Sequence, residues 1–374
     1  MTATSRLPTT WSGSRSGTPA ACVATKATNA VTAATSGPAT TLRRGASSFP
    51  EEVTSSSRDG DTEGEIPHRG KDNKTPLLLL VNMRATRVAP GVVAAVRTAL
   101  GRRFAVEVIA TVGRGHAAAL CREVGGFGAV AVLGGDGTVN EAANGLVGGE
   151  VPLACLPGGL TNVFARALGS PSGAVAAAER LAAGGGRPAT VDVGSVAGRH
   201  FLFASGLGLS ATLTRRHELG RRDTPALAQV SAVWAAVRAV ADEVGLRPRL
   251  RVTTPDRIVD GTTVVAQNAG PITFLGSHPI RVCQGAGLTS RSLSLAVLRG
   301  AGPRDLVTLP PRVLSGRASA VASHPRIAAL PAVTLASVET LDGAPLPLDA
   351  DGEYLGEHAK VEYGVVPAAL RVLT

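Results

Sequence analysis

Aromatic side chains are scarce, with only 3% of the 374 residues being Phe, Trp or Tyr. A core must therefore be built from Ala, Val and Leu, within a hydrophobic fraction of 44%. Small side chains bury little area each, so many elements must pack closely. The same scarcity argues against nucleic acid as a partner, because stacking platforms for bases are missing. Cysteine is equally sparse. Cys22, Cys121, Cys155 and Cys283 form no Cys-x-x-Cys pair, which argues against a zinc site and a disulfide scaffold. A reducing, cytoplasmic setting is expected, with Cys155 buried as a small hydrophobe in its apolar run. No apolar run approaches the roughly 20 residues of a spanning helix. Ser, Thr, Gly and Arg interrupt the N-terminus throughout, so no signal-peptide core is present. Any membrane contact is then peripheral, at the inner face of the cell membrane.

The chain is long enough for two domains of ordinary size. Its formal charge is +10, carried mostly by arginine. The first 73 residues hold eight basic and seven acidic side chains, and the remaining 30 and 21 leave +9 on the rest. Such a balance suits phosphates or anionic lipid surfaces, or serves solubility alone. Residues 1 to about 73 are rich in Ser, Thr, Ala and Gly without apolar period. Such a segment cannot bury enough surface to offset its ordering entropy, so a disordered tail is expected.

Beyond Thr75-Pro76 the pattern becomes regular. Apolar runs at Leu77 to Val81, Phe104 to Ala110, Ala129 to Leu133 and Val151 to Leu156 read as strands. Helical stretches alternate with them, at Pro90 to Leu100, His116 to Val124, Val139 to Leu146, Thr161 to Leu168 and Ala174 to Ala183. This alternation predicts an α/β fold with a parallel sheet over 74–190. From 191 to 374 the reading changes to a β-rich antiparallel second domain, its C-terminal segment free to return to the first. Strand-like runs lie at Phe201 to Ser205, Leu250 to Thr254, Thr262 to Asn268, Ser292 to Leu298, Ala332 to Ser337 and Lys360 to Tyr363. One helix is expected among them, from about Ala226 to Val244, with an apolar stripe at three- and four-residue spacing.

Gly134-Gly135-Asp136-Gly137-Thr138 directly follows a strand and precedes a helix. Three glycines permit a sharp turn and close approach of a ligand, and the helix start directs positive charge at an anion. A tight turn capped by Asp136 or Thr138 is the plain alternative. Pro157-Gly158-Gly159, followed by Thr161-Asn162, repeats the same strand, loop and helix logic. In a parallel sheet both loops leave on one edge, where ligands bind, so together they suit a triphosphate. Arg166, four residues after Asn162, either reaches phosphate or is a solvated arginine. A third loop, Thr111 to His116, would lie nearby if its strand neighbours theirs, with His116 read as a helix-start residue.

These motifs occur in the same order in the diacylglycerol kinase catalytic-domain family, which includes sphingosine kinases and bacterial lipid kinases. The resemblance rests on Asn82, the Arg114-Gly115-His116-Ala117 loop, and the stretches Gly134 to Glu141 and Pro157 to Gly169. It extends through Gly206-Leu207-Gly208, Asp223 to Leu227 and Asp351-Gly352-Glu353-Tyr354-Leu355-Gly356. It implies an NAD kinase- and phosphofructokinase-like nucleotide domain, then a β-rich domain that presents a lipid substrate. It further implies ATP and Mg²⁺, with the γ-phosphoryl passing to a hydroxyl of a diacylglycerol or sphingoid-like lipid. Carried over by position, Asn82, Thr111, Gly134, Gly135, Asp136, Gly137, Thr138 and Asn140 hold the nucleotide, with Gly159, Thr161 and Asn162 from the second loop. Glu353 matches the family's general base, and Asp136 is counted with it as catalytic. On residue type alone, Asp351-Gly352 is a hairpin turn with Glu353 exposed beside it.

The chain departs from the family at several positions. Met83 stands in place of proline, and Leu160 in place of Ser or Thr. Two acidic positions are Ser210 and the Leu288-Thr289-Ser290-Arg291 stretch, so no residue is assigned to metal. Hard cations need oxygen ligands, which opens a second reading: a relative that binds nucleotide or lipid with little transfer. An NAD kinase is a third. Arg215, Arg216, His217, Arg221 and Arg222 form a basic cluster that suits either an anionic membrane surface or a solvated loop.

Overall fold

The computed structural model describes residues 74–208 and 241–374. The expected tail, the basic cluster at 215–222, Ser210 and all but the last four residues of the helix expected to end at Val244 lie outside the described residues. Four strands, β1 (Thr75–Val81), β2 (Phe104–Ala110), β3 (Ala129–Gly134) and β4 (Leu153–Pro157), form a parallel array in the order β2-β1-β3-β4. Five helices connect or flank them: α1 (Pro90–Gly101), α2 (His116–Arg122), α3 (Asp136–Leu146), α4 (Val163–Ala167) and α5 (Ala174–Ala182). Side chains alternate across a strand. Leu77, Leu79 and Val81 therefore pack with α1 and α5, while Leu78 and Leu80 pack with α2, α3 and α4. Both faces of β1, β3 and β4 are covered, which is why these strands are almost wholly apolar, whereas the edge strand β2 is largely exposed.

The second half of the chain continues this sheet and adds another. β5 (Pro188–Val196), β6 (Arg199–Phe201), β8 (Leu250–Thr253), β9 (Ile258–Gly261), β15 (Leu335–Thr340) and β18 (Lys360–Leu373) join the first sheet. The end of β18 returns to pair in parallel with β4, Val372 opposite Leu153. A six-stranded antiparallel sheet has the order β14-β13-β10-β7-β16-β17. Its members are β7 (Ala204–Leu207), β10 (Thr263–Gln267), β13 (Leu293–Leu298), β14 (Ile327–Val333), β16 (Leu346–Ala350) and β17 (Glu353–His358). A core of Phe201, Leu207, Val252, Val264, Leu295, Val338, Leu348 and Tyr363 joins the two sheets as a sandwich. A separate hairpin pairs β11 (Thr273–Leu275) with β12 (His278–Ile280).

The run expected at Ala332 to Ser337 is divided at Thr334 between β14 and β15, just after Ala332 adopts a left-handed φ of 57°. Two short helices also stand where none was expected, α6 (Asp305–Leu314) and α7 (Ala318–Ala322). Pro310 and Pro311 lie inside α6. Proline cannot donate a backbone hydrogen bond and usually stops a helix, so the sequence reads as broken there.

Behind these helices, His324 is 3% exposed. Its Nδ1 accepts the Arg326 N–H at 3.2 Å, and its Nε2 lies 3.0 Å from the Thr308 hydroxyl and 3.5 Å from Asp305. An accepting Nδ1 requires the neutral ring, and burial holds the pKa below the ordinary value. The unfolded chain binds this proton near pH 6.5 and the folded chain only at lower pH. Stability from this ring is thus complete above about pH 6.5 and is lost as pH falls towards the depressed folded value. His200, also lowered by burial, acts with the same sign. Denaturant unfolding of wild type and His324→Gln should therefore show the wild type losing more stability between pH 7 and pH 5. Parallel losses in both would exclude this role.

Candidate active site

Strand β3 is buried at all six residues and ends at Gly134. Helix α3 then starts at Asp136, three residues earlier than the apolar period suggested. Its first intrahelical bond is Val139 N–H to Gly135 O, at 3.1 Å. The amides of Asp136, Gly137 and Thr138 thus belong to the first turn and have no intrahelical acceptor. They leave the sheet at its carboxyl edge, where the α3 dipole is positive.

The second glycine loop lies directly against the first. Gly158 N–H donates to Gly134 O at 2.9 Å. A Cβ on Gly159 would stand 2.7 Å from the Gly135 Cα, whereas Gly137 has nothing within 4 Å of its Cβ position. One glycine is therefore required by packing, and the other faces open space. Asn162, at a left-handed φ of 47°, accepts the Gly159 N–H and donates to Gly159 O, both at 2.8 Å. Its side chain closes the loop on itself.

Asp136 faces α4 and not its own helix. Its carboxylate accepts the Thr161 hydroxyl at 2.9 Å and the Phe164 N–H at 3.2 Å. Burial raises its pKa, and these hydrogen bonds oppose the rise. Thr161 is thereby drawn to Asp136. Asn82 donates to the Thr138 hydroxyl at 2.8 Å, which joins the loop after β1 to the start of α3. Thr111 N–H bonds Val81 O at 2.8 Å, so the loop after β2 begins on the same edge. His116 starts α2, and its Nδ1 accepts the Val112 N–H at 3.2 Å. Arg166 is not simply solvated, because its side chain packs on the hairpin of β11 and β12. Its guanidinium lies 3.4 Å from the Phe274 ring centroid and donates to Gly276 O and Ser277 O, at 3.0 and 3.3 Å.

Across from the glycine loops stands the turn between β16 and β17. Asp351 and Gly352 have φ of 50° and 77°, the left-handed pair of a tight hairpin. Asp351 was legible only as a turn residue, yet it is 5% exposed. Its carboxylate accepts the N–H groups of Leu202, Phe203 and Ala204 at 2.6, 2.9 and 3.1 Å. It also accepts Asn140 Nδ2 at 2.7 Å. Burial pushes its pKa up to about 6, against the pull of those donors. Asn140 further donates to His200 O at 3.0 Å and accepts from Asn144 and Arg199 at 3.1 and 3.3 Å. Its side chain serves the hairpin and β6.

Glu353 is not exposed as the turn alone suggested, since its side chain is 19% accessible. Oε2 lies 2.8 Å from Arg199 Nη2, and Oε1 lies 3.3 Å from Arg114 Nη1. Arg114 comes from the loop after β2, so the carboxylate is held at the edge where the glycine loops emerge. Arg199 is a site residue that the sequence did not mark.

The donors do not fit a protein-built metal site. Among the described residues, no three His, Cys, Asp or Glu side chains gather to hold an ion. Near Leu288 to Arg291 a carboxylate is supplied from β5, by Asp192. Its oxygens accept the N–H groups of Arg291 and Ala368 at 2.6 and 2.8 Å, and both of these residues have left-handed φ. It therefore fixes two strained turns. For a triphosphate the fit is better, because the open Gly137 and the first-turn amides of α3 present donors to an anion.

Residues 76–196 match the diacylglycerol kinase catalytic domain model, and residues 206–374 match the YegS C-terminal NAD kinase beta sandwich-like domain. A diacylglycerol kinase of Bacillus subtilis (strain 168) is 41% identical over 91 residues, 24% of this chain and 29% of that protein. A Pseudomonas aeruginosa (strain UCBPP-PA14) protein carrying a YegS-like lipid kinase name is 29% identical over 310 residues, 80% of this chain and 94% of that protein. A solved diacylglycerol kinase structure from Bacillus anthracis str. Sterne shares the fold, with a TM-score of 0.55 at 19% identity. It covers 81% of this chain and 98% of its own.

The glycine contacts make a direct prediction. Gly159→Ala should force the two loops apart and lower unfolding stability by about 1–3 kcal/mol, the usual cost of overpacking. Gly137→Ala should leave stability within about 0.5 kcal/mol, as surface changes usually do. Equal denaturation midpoints for Gly159→Ala and wild type would refute the close packing of the loops.

Proposed function

The chain belongs to the diacylglycerol kinase catalytic-domain family, and from that premise we propose that it is an ATP-dependent lipid kinase. The acceptor is the hydroxyl of a diacylglycerol or a sphingoid-like lipid. The observation that carries this reading is the meeting of Glu353 with Arg114 at the carboxyl edge of the parallel sheet. That contact puts a carboxylate beside a cradle suited to triphosphate.

In this mechanism the amides of Asp136, Gly137 and Thr138 bind phosphate oxygens, beside the loop carrying Gly159. Asn82 orients the Thr138 hydroxyl, and Asp136 keeps the start of α4 in place. Glu353 accepts the proton of the attacking hydroxyl. A new O–P bond forms to the γ-phosphorus, the β,γ-bridging P–O bond breaks, and ADP leaves. Positioning and charge neutralisation provide most of the acceleration. Mg²⁺ would accompany the nucleotide and neutralise phosphate charge, since the described residues offer no preformed cage for it.

A lipid acceptor is favoured by the rim of this edge. Met83, Val112 and Leu160 stand 45%, 75% and 44% exposed on the loops after β1, β2 and β4. No helix among the described residues is long and apolar enough to cross a membrane, so peripheral approach to an anionic bilayer completes the proposal. The departures at Leu288 to Arg291, with no metal-binding trio among the described residues, support a second reading in which nucleotide binds but transfer is slow.

Labelled ATP supplied with diacylglycerol, sphingosine, a total lipid extract and NAD separates these readings. The lipid kinase reading predicts label in a lipid product, and Glu353→Gln should reduce the rate at least about 10²-fold, the lower range for a lost general base. Label in NAD alone would assign an NAD kinase. Nucleotide binding without any labelled product would support the slow relative.

A further inference from the structure

We propose that Arg114 is a catalytic residue that leaves Glu353 when nucleotide binds and donates to the γ-phosphoryl group. The inference rests on the kinase reading above and assigns a role that the fold and the glycine loops do not supply. Two guanidinium groups, Arg114 and Arg199, face the two oxygens of one carboxylate. One negative charge thus stands between two positive ones, beside a helix start that carries about half a positive charge. The net field at this edge favours an anion.

The two arginines are not equivalent. Arg199 sits on β6, lies 2.8 Å from Glu353 and also donates to Asn140. Arg114 lies at the longer distance of 3.3 Å, with a side chain 70% accessible. It stands between Gly113 and Gly115, which have nothing within 4 Å of their Cβ positions, and Gly115 has a φ of 79°. The loop therefore has space on both sides, and its ion pair with Glu353 is solvent-exposed and readily exchanged. A triphosphate offers the same fork several oxygens and more negative charge. Moving Arg114 from Glu353 to phosphate would neutralise the transferred group. It would also release Oε1 of Glu353 to take the acceptor proton, while Arg199 keeps the carboxylate in place.

The test is a pair of calorimetric titrations, with Mg²⁺ present, using ADP and the β,γ-imido analogue of ATP. Both are run on wild type and Arg114→Ala. If Arg114 meets the γ-phosphoryl, the variant should lose about tenfold or more affinity for the imido analogue beyond any loss for ADP, the scale of one charge-assisted hydrogen bond. Equal losses for the two ligands, or no loss for either, would overturn the proposal. A variant that folds poorly weakens both ligands alike and so counts against it. Wild type that binds neither ligand would overturn the kinase reading itself.

Discussion

The buried carboxylate of Asp351 accepts four donors that come from distant parts of the chain. Three are consecutive backbone amides, Leu202 to Ala204, and the fourth is the side-chain amide of Asn140 on α3. The helix that opens the glycine cradle is thereby tied to the turn that carries Glu353. Each donor would be left unsatisfied in a buried setting without that carboxylate, at a cost of about 1–3 kcal/mol per group. The tie also sets direction. Asp351 lies inside the turn, so two residues later Glu353 emerges at the first position of β17, next to Arg199 and Arg114. Catalytic geometry on the proposed reading depends on one hydrogen-bonded acid that never touches substrate.

The parallel half of the fold was legible because its inner strands β1, β3 and β4 are covered on both faces. Leu77 to Val81 and Ala129 to Leu133 are unbroken apolar runs, and glycine follows β3 where the chain must turn closely. Their register placed the two glycine loops together, since neighbouring parallel strands leave the sheet on one side. The sandwich was harder to read. Strand β18 continues to Leu373, well past Tyr363, because its residues change partners along its length. It pairs with β15 and β5 and then with β4, and Ala368 adopts a left-handed φ of 49° between them. No single period survives such a change. Helix α6 was hidden by its two prolines.

Side-chain direction was the least legible feature. Asp136, Asn140 and Asn162 all lie in the motifs that the sequence singled out, yet their polar groups bond to protein partners. Asp136 fixes the start of α4, Asn162 closes its own loop, and Asn140 anchors the hairpin. A motif fixes which residue types a loop needs, and it does not separate those that face a ligand from those that shape the loop. Arg199 carries no local signal and Asp351 only that of a turn, because their partners lie up to 211 residues away in sequence.

The charges at the edge bear on the missing acids. A protein that holds cations beside a triphosphate with carboxylates needs several of them unengaged. Here the carboxylates of Asp136, Asp192 and Asp351 are each engaged by protein donors, and no metal-binding trio forms among the described residues. Arginines occupy the same edge, with Arg84 and Arg87 exposed after β1 and Arg114 after β2. Guanidinium groups neutralise phosphate through fixed forks without requiring a cage. On the proposed reading, part of the task that an ion performs is transferred to these side chains, and Mg²⁺ is carried by the nucleotide and water. The missing acids and the arginines at this edge are then two sides of one electrostatic arrangement.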